Sequence, residues 1–267
     1  MKGIILAGGT GSRLYPCTKV TNKHLLPVYD RPMIYYPIMA MIKAGIEDIL
    51  IISSEEHAGD FEQLLGGGKD FIKDFKKLEP TTKEFNINFT YRIQSGPNGI
   101  ADGLKLAEDF VGNEKCVVIL GDNVFLDDIS EHVKTFEKSD NNALICLKEI
   151  PKDDLYGDIK GIYRARFGVA EVENGKLIKV IEKPMPKDCN SNLVVIGIYM
   201  FPPDVFEKIT KLKPSWRGEY EITDVNQMYI DEEKMQYGIL KGFWSDAGTI
   251  KTLNKASRFV EKNQRKE

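Results

Sequence analysis

The stretch "GIILAGGTGSRLYP" runs from Gly3 to Pro16 and joins a short apolar run to a loop of glycines carrying one arginine. The apolar run "KGIILAG" reads as a strand, and ligands bind beyond the carboxyl ends of strands in open α/β sheets. Glycines let backbone N–H groups close on an anion with no Cβ in the way, and an arginine fork offers permanently charged, bidentate contacts to phosphate oxygens. Neither standard phosphate loop fits. A P-loop requires Gly-Lys-Ser/Thr where this chain has Ser12-Arg13-Leu14, and a dinucleotide fingerprint requires a third glycine where Leu14 stands. Pro16 opposes a helix directly behind the loop. On these residues alone, an anion cradle and a plain tight turn both remain open.

Outward from this loop, strands and helices alternate. "IEDILIISS", "NINFTYRIQS", "KCVVILGD" and "NALICLKEI" read as strands. "PMIYYPIMAMIKAG", "HAGDFEQLLGGG", "GIADGLKLAEDFVG" and "DISEHVKTFEKS" read as helices, the first with Pro32 near its start and Gly45 as its stop. Such alternation implies parallel crossovers and a sheet covered on both faces. After Pro151 the texture changes. "RFGVAEVENGKLIKVIEKP" reads as two strands turning at Asn174-Gly175, and "NLVVIGIYMFPP" as another. Helices return over 204–212, 222–233 and 249–261. No Ser- or Gly-rich linker separates the halves, and no internal repeat is visible.

The chain has 267 residues and a formal charge of −3, ordinary for a globular protein and no pointer to nucleic acid or an anionic membrane surface. The cluster "KDFKK" reads as a solvated helix face. No apolar run approaches the ~20 residues of a membrane span, and Gly3–Ala7 is too short for a signal-peptide core. Cys17, Cys116, Cys146 and Cys189 form no metal-ligand spacing, which suits a reduced, cytosolic protein. His24, His57 and His132 are scattered, and no Ser/His/Asp or Cys/His constellation is apparent.

One ordered set of motifs is specific. The opening "GIILAGGTGSRLYP…TKVTNKHLLPVYDRPMIYYP" is followed by "IQSGPNGIADGL", "VVILGDNVF", "FGVAEV", "IEKP", "VIGIYMF", "WRGEYEITDVN" and "WSDAGT". Over nearly the whole chain this set resembles the sugar-1-phosphate nucleotidylyltransferases, in particular the glucose-1-phosphate thymidylyltransferases. The resemblance implies a Rossmann-like α/β fold: a mixed, mostly parallel sheet flanked by helices, with a smaller antiparallel sugar-binding part. It implies one nucleotidyltransferase domain over 1–267, its nucleotide half about 1–150 and its sugar half about 151–267.

The implied reaction is Mg²⁺-assisted in-line attack by a sugar 1-phosphate oxygen on the α-phosphorus of dTTP, giving dTDP-glucose and pyrophosphate. Because that oxygen is already ionised, charge neutralisation and positioning dominate over base catalysis. By resemblance Arg13 steadies the triphosphate and leaving pyrophosphate, Lys23 adds a second positive charge, and Asp122 and Asp246 hold the metal. Read alone, either aspartate is equally a turn or cap residue. Leu6, Gly8, Gly9, Gly11, Gln94, Pro97 and Gly99 complete the nucleotide set with Arg13 and Asp122. The Gln94 amide suits the imide edge of thymine or uracil without separating them. On the sugar side, Lys183 grips the phosphate and Glu182 the hydroxyls. Gly168, Gly197 and Tyr199 line the pocket, and Arg217 and Glu219 meet the phosphates. A homo-oligomer, dimer or tetramer, is also implied.

Some residues depart from the pattern. His24 and Asp102 stand where glutamine is common, leaving UTP and other sugar phosphates as alternatives. The stretches 68–88 and 153–166 are long insertions, readable as lids, oligomer contacts or surface loops. The chain stops soon after its last helix, which puts in doubt an allosteric site dependent on a longer C-terminal segment. A dinucleotide-dependent oxidoreductase fails at Leu14 and lacks a Tyr-x-x-x-Lys pair. A catalytically dead sugar-nucleotide sensor would have lost Arg13, Asp122, Lys183 or Asp246, and all four are present.

Overall fold

In a computed structural model, residues 1–79, 84–159 and 161–264 are described. A nine-stranded sheet runs through both halves of the chain. Its strands are β1 (Lys2–Ala7), β2 (Asp48–Ser54), β3 (Asn88–Gln94), β4 (Cys116–Leu120), β5 (Ala143–Glu149), β6 (Gly168–Glu173), β7 (Lys176–Glu182), β8 (Leu193–Phe201) and β9 (Met235–Ile239). The main path is β7-β6-β8-β4-β1-β2-β3, and β5 joins β8 to β9. Strands β4, β1, β2 and β3 are parallel, whereas β8 is antiparallel to β4, to β5 and to β6.

The uniform apolar strands are uniform because both faces are covered. Ile5, Ile49, Ile51, Val117 and Ile119 enter one core; Ile4, Leu6, Leu50, Ile52 and Val118 enter the other. Successive side chains point to opposite faces, so a strand between two helical layers must be apolar at every position. A third cluster joins Val28, Met33, Tyr36, Val124, Ala247, Ala256 and Val260. It pins the helix Ile250–Gln264 beside the loop that carries Asp246.

Strand β5 keeps the direction of β1 to β4, because β8 lies between β4 and β5 and runs antiparallel to both, and β9 pairs parallel with β5. Several expectations need correction. Pro32 belongs to a two-residue strand paired with Pro27–Val28, and the helix behind it starts at Tyr35. "GIADGLKLAEDFVG" forms two helices, Ile100–Lys105 and Glu108–Val111, because the ladder tightens to i→i−3 bonds at Leu106 and Ala107. The first insertion contains the helix Lys69–Leu78, with Phe71 and Phe75 buried one turn apart. Its "KDFKK" stretch is the expected solvated face, with Lys77 paired to Asp74; the rest of this insertion includes 80–83, which lie outside the described residues. The second insertion forms the helix Lys152–Leu155 and the hairpin Tyr156–Ile159/Ile162–Ala165. Among the described residues no helix is long and apolar enough to cross a membrane. The cysteines are free, with Cys116, Cys146 and Cys189 buried.

Candidate active site

The carboxyl ends of β1, β2 and β3 open onto a cleft of about 260 Å³, walled by Gly8, Gly9, Lys23, Ser54, Gln94 and Pro97. Gly9 and Gly11 hold φ of 95° and 60°, in the left-handed region where glycine carries no steric penalty. The turn Ser12–Leu14 plugs Leu14 into the core and leaves Arg13 exposed. Gln94 is oriented by the protein: its Nε2 donates to Asp102 Oδ2 at 2.8 Å and to the Gly99 carbonyl at 3.2 Å. Its Oε1 therefore remains as an acceptor beside Gly8 and Gly103.

Where β4 ends, Asp122 meets Lys23, with Nζ 2.5 Å from Oδ2. Burial, the largest single influence, opposes the Asp122 charge, but its neighbours, Lys23 foremost and Arg13 among them, together hold the carboxyl below its usual range. Asp246 accepts from Arg166 Nη2 at 3.1 Å. Burial raises the Asp246 carboxyl above its usual range, and the charge on Asp122 adds to that against Arg166 and Arg13. The two aspartates thus feel each other, and Arg13 reaches the same place: a Cβ on Gly248 would stand 3.1 Å from Arg13 Nη2 and 3.6 Å from Asp246 Oδ2. Four expected residues, Arg13, Lys23, Asp122 and Asp246, are therefore gathered from three distant parts of the chain.

The hairpin β6–β7 builds a second polar centre. Glu182 pairs with Lys183 at 2.7 Å and with Arg217 at 3.3 Å, and accepts from Thr223 Oγ1 at 2.7 Å. Burial opposes its charge, but Lys183, Thr223 and Arg217 prevail and keep the carboxyl ionised below its usual range. Gly168 faces Glu182 in register and lies against Thr223. Arg217 also contacts Glu219 at 3.1 Å and Glu221 at 2.6 Å. Tyr199 is buried between the centres. Burial raises its hydroxyl pKa first, then the charges of Glu182 and Asp122, so it stays protonated.

A scan against known protein families matches residues 2–263 to the nucleotidyl transferases. The chain belongs to the nucleotidyl transferase family. It is 38% identical over 266 residues to the glucose-1-phosphate thymidylyltransferase of Neisseria meningitidis, covering 98% of this chain and 83% of that one. The Mycolicibacterium smegmatis enzyme of the same name is 36% identical over 264 residues, covering 97% of this chain and 82% of that one. A Bacillus anthracis protein named as a candidate glucose-1-phosphate thymidylyltransferase, crystallised with a sucrose, superposes with a TM-score of 0.83 at 45% identity, covering 97% of this chain and 95% of that one. A UDP-glucose pyrophosphorylase complexed with UDP-glucose superposes at 0.82 with 24% identity, covering 98% of each chain, and shares the fold.

In this nucleotidyl transferase some expected residues have a different surrounding from the one their motifs suggest. A Cβ on Gly197 would lie 2.5 Å from Asn123 Nδ2 and from Leu120, so packing already requires glycine there. Gly99, at φ 109°, approaches the Tyr220 backbone, and Tyr220 N–H donates to the Asn98 carbonyl at 2.7 Å. The base loop and the "WRGE" loop are therefore tied together. Glu219 is engaged by Arg217.

Other site residues lay inside quoted motifs without being singled out. Asn123 is a hub: Oδ1 accepts from Trp244 Nε1 at 2.5 Å and Gly197 N–H at 3.2 Å, and Nδ2 donates to Asp122 at 3.3 Å. Asn22 Oδ1 accepts from the His24 backbone N–H at 2.9 Å and lies 2.6 Å from its ring Nδ1. Burial, aided by Lys23, lowers the His24 pKa to about 3, so the ring is neutral. Arg166 and Glu221 complete the ion pairs of Asp246 and Arg217. Asn22, Asn123 and Glu221 are buried polar residues inside motifs already quoted.

Proposed function

We propose that this protein transfers a thymidylyl group from dTTP to glucose 1-phosphate, releasing pyrophosphate and dTDP-glucose. One observation carries the reading: the Arg13–Lys23–Asp122–Asp246 cluster borders the cleft through Lys23, and Tyr199 feels the charges of both Asp122 and Glu182 of the second centre. The names of the relatives support it.

The glycine loop and Arg13 take the triphosphate tail, and Lys23 carries its charge to the same phosphates. Gln94 offers Oε1 to an imide N–H, because both amide protons are spent on Asp102 and Gly99. Lys183 and Arg217 receive the sugar phosphate, and Glu182, kept ionised, accepts from sugar hydroxyls. Tyr199 closes the wall between the two centres. The attacking phosphate oxygen is already an anion, so no side chain has to take a proton from it.

Asp122 and Asp246 have the donor chemistry to hold Mg²⁺, which takes one or two carboxylates plus phosphate oxygens. Asp246, raised by burial and by Asp122, favours an added positive charge. Among the described residues no group of three or more acidic, His or Cys side chains forms a fully protein-made metal cage. When bound, the cation supplies neutralisation of the phosphate charge. Assembly as a homo-oligomer belongs to the same reading.

The test is ³¹P NMR of the protein with dTTP, glucose 1-phosphate and Mg²⁺. Pyrophosphate and a sugar-nucleotide diphosphate signal should appear together and vanish with a chelator. Unchanged dTTP in the presence of Mg²⁺ would overturn the reading.

A further inference from the structure

The insertion before β6 lends Arg166 to Asp246, and its strand also reaches the sugar-phosphate side. The strand Ile162–Ala165 runs beside the loop leaving β7: Ala165 N–H donates to the Pro184 carbonyl at 2.8 Å, and Lys183 N–H donates to the Phe167 carbonyl at 3.2 Å. Between these bonds Lys183 is held at φ 46°, a conformation a side-chain-bearing residue keeps only when its surroundings impose it.

Arg164, on the same strand, touches both loops that supply the sugar-phosphate cations. Its Nη1 donates to the Lys183 carbonyl at 3.4 Å. Its guanidinium lies 4.6 Å over the ring of Trp216, the residue before Arg217. Trp216 is 55% exposed, so this large ring is not there to fill a core. The Arg164 Nε is buried with no hydrogen-bond partner among the described residues.

We propose that Arg164 and Trp216 form a clasp that sets the spacing of Lys183 and Arg217, and thereby the affinity for the sugar 1-phosphate. The two cations sit on separate loops, and both side chains are long and flexible. A planar guanidinium stacked on an aromatic face fixes one loop against the other, which a lysine ammonium does less well. Both residues are positioning residues, and the clasp rests on the function proposed above.

The experiment measures kcat, KM for glucose 1-phosphate and KM for dTTP in the wild type, Trp216→Ala, Arg164→Ala, the double variant and Trp216→Phe, with a melting curve for each. The clasp predicts that either alanine raises KM for glucose 1-phosphate by about tenfold, the scale of a partly desolvated cation–π contact, and leaves KM for dTTP unchanged. The double variant should be no worse than the weaker single one, and Trp216→Phe should restore the wild-type value. Unchanged KM for glucose 1-phosphate in a Trp216→Ala protein that melts like the wild type would overturn the clasp. Equal rises in both KM values would also overturn it, as would failure of Phe to rescue. A wild type with no turnover removes the functional reading itself, and the clasp with it.

Discussion

Arg13 and Asp122 show what single residues contribute here. Arg13 is exposed and free to meet a triphosphate, while Leu14 beside it anchors the turn in the core. Arg13→Ala should therefore fold normally and lower kcat by about 10²–10³-fold, the range for losing one preorganised charge at a developing anion. Its KM for glucose 1-phosphate should barely change, and steady-state kinetics in both substrates will read the split. Asp122→Asn keeps the shape but removes the charge that Lys23 and a cation share. Most turnover should vanish, and calorimetric titration should show weakened Mn²⁺ or Mg²⁺ binding to the enzyme–nucleotide complex. Normal turnover at saturating Mg²⁺ would remove Asp122 from the metal role.

Among the elements, the strongest coupling is between loops. The base loop at Asn98–Gly99 is bonded to Tyr220, two residues past Gly218 and close behind Arg217. Gly99→Ala places a Cβ 2.5 Å from the Tyr220 carbonyl oxygen at a φ of 109°. A cost of ~1–3 kcal/mol is expected from that strain, together with a rise in KM for both substrates, because the two loops move apart. Denaturant melts and two-substrate kinetics check it.

Element by element, legibility in the sequence followed physical cause. Strands β1, β2 and β4 were readable because two covering layers make every position apolar. The hairpin β6–β7 was readable from its Asn174-Gly175 turn, both residues at positive φ. The helix Lys69–Leu78 was obscured because only Phe71 and Phe75 are buried among charged neighbours. Strand β9, "MQYGI", has one buried residue, so it carries almost no alternation. Within the site, Arg13, Lys23 and Asp122 were legible from their motifs. That Arg166 pairs with Asp246, or that Asn123 joins Trp244 to Gly197, depends on tertiary placement that spacing does not encode.

Over the whole molecule, one sheet carries two charged centres, and their carboxylates tie activity to acid stability. Glu182 is largely shielded and its folded pKa lies below the ordinary value of 4.5, because Lys183, Thr223 and Arg217 together overcome the cost of desolvating its charge. The unfolded chain therefore binds this proton first as pH falls. Its contribution is fully present above about pH 4.5 and is lost as pH drops through the lower folded value. Glu182→Gln should flatten that part of the acid limb in ligand-free melts, most visibly when melting temperature is compared at pH 7 and pH 4. An unchanged limb would mean Lys183 and Arg217 do not favour the ionised form.

On the function proposed above, this gathering of cations and carboxylates transfers a thymidylyl group to a sugar phosphate and releases pyrophosphate. Pyrophosphate release should be measured with Mg²⁺ and glucose 1-phosphate, comparing dTTP, UTP, ATP, CTP and GTP. Release should be fastest with dTTP, the donor proposed above, and slow with ATP and CTP, whose ring nitrogens at that edge carry no proton for the acceptor that Gln94 presents. Preference for UTP would keep the chemistry and change the donor. Absence of pyrophosphate release with all five nucleotides would contradict this function.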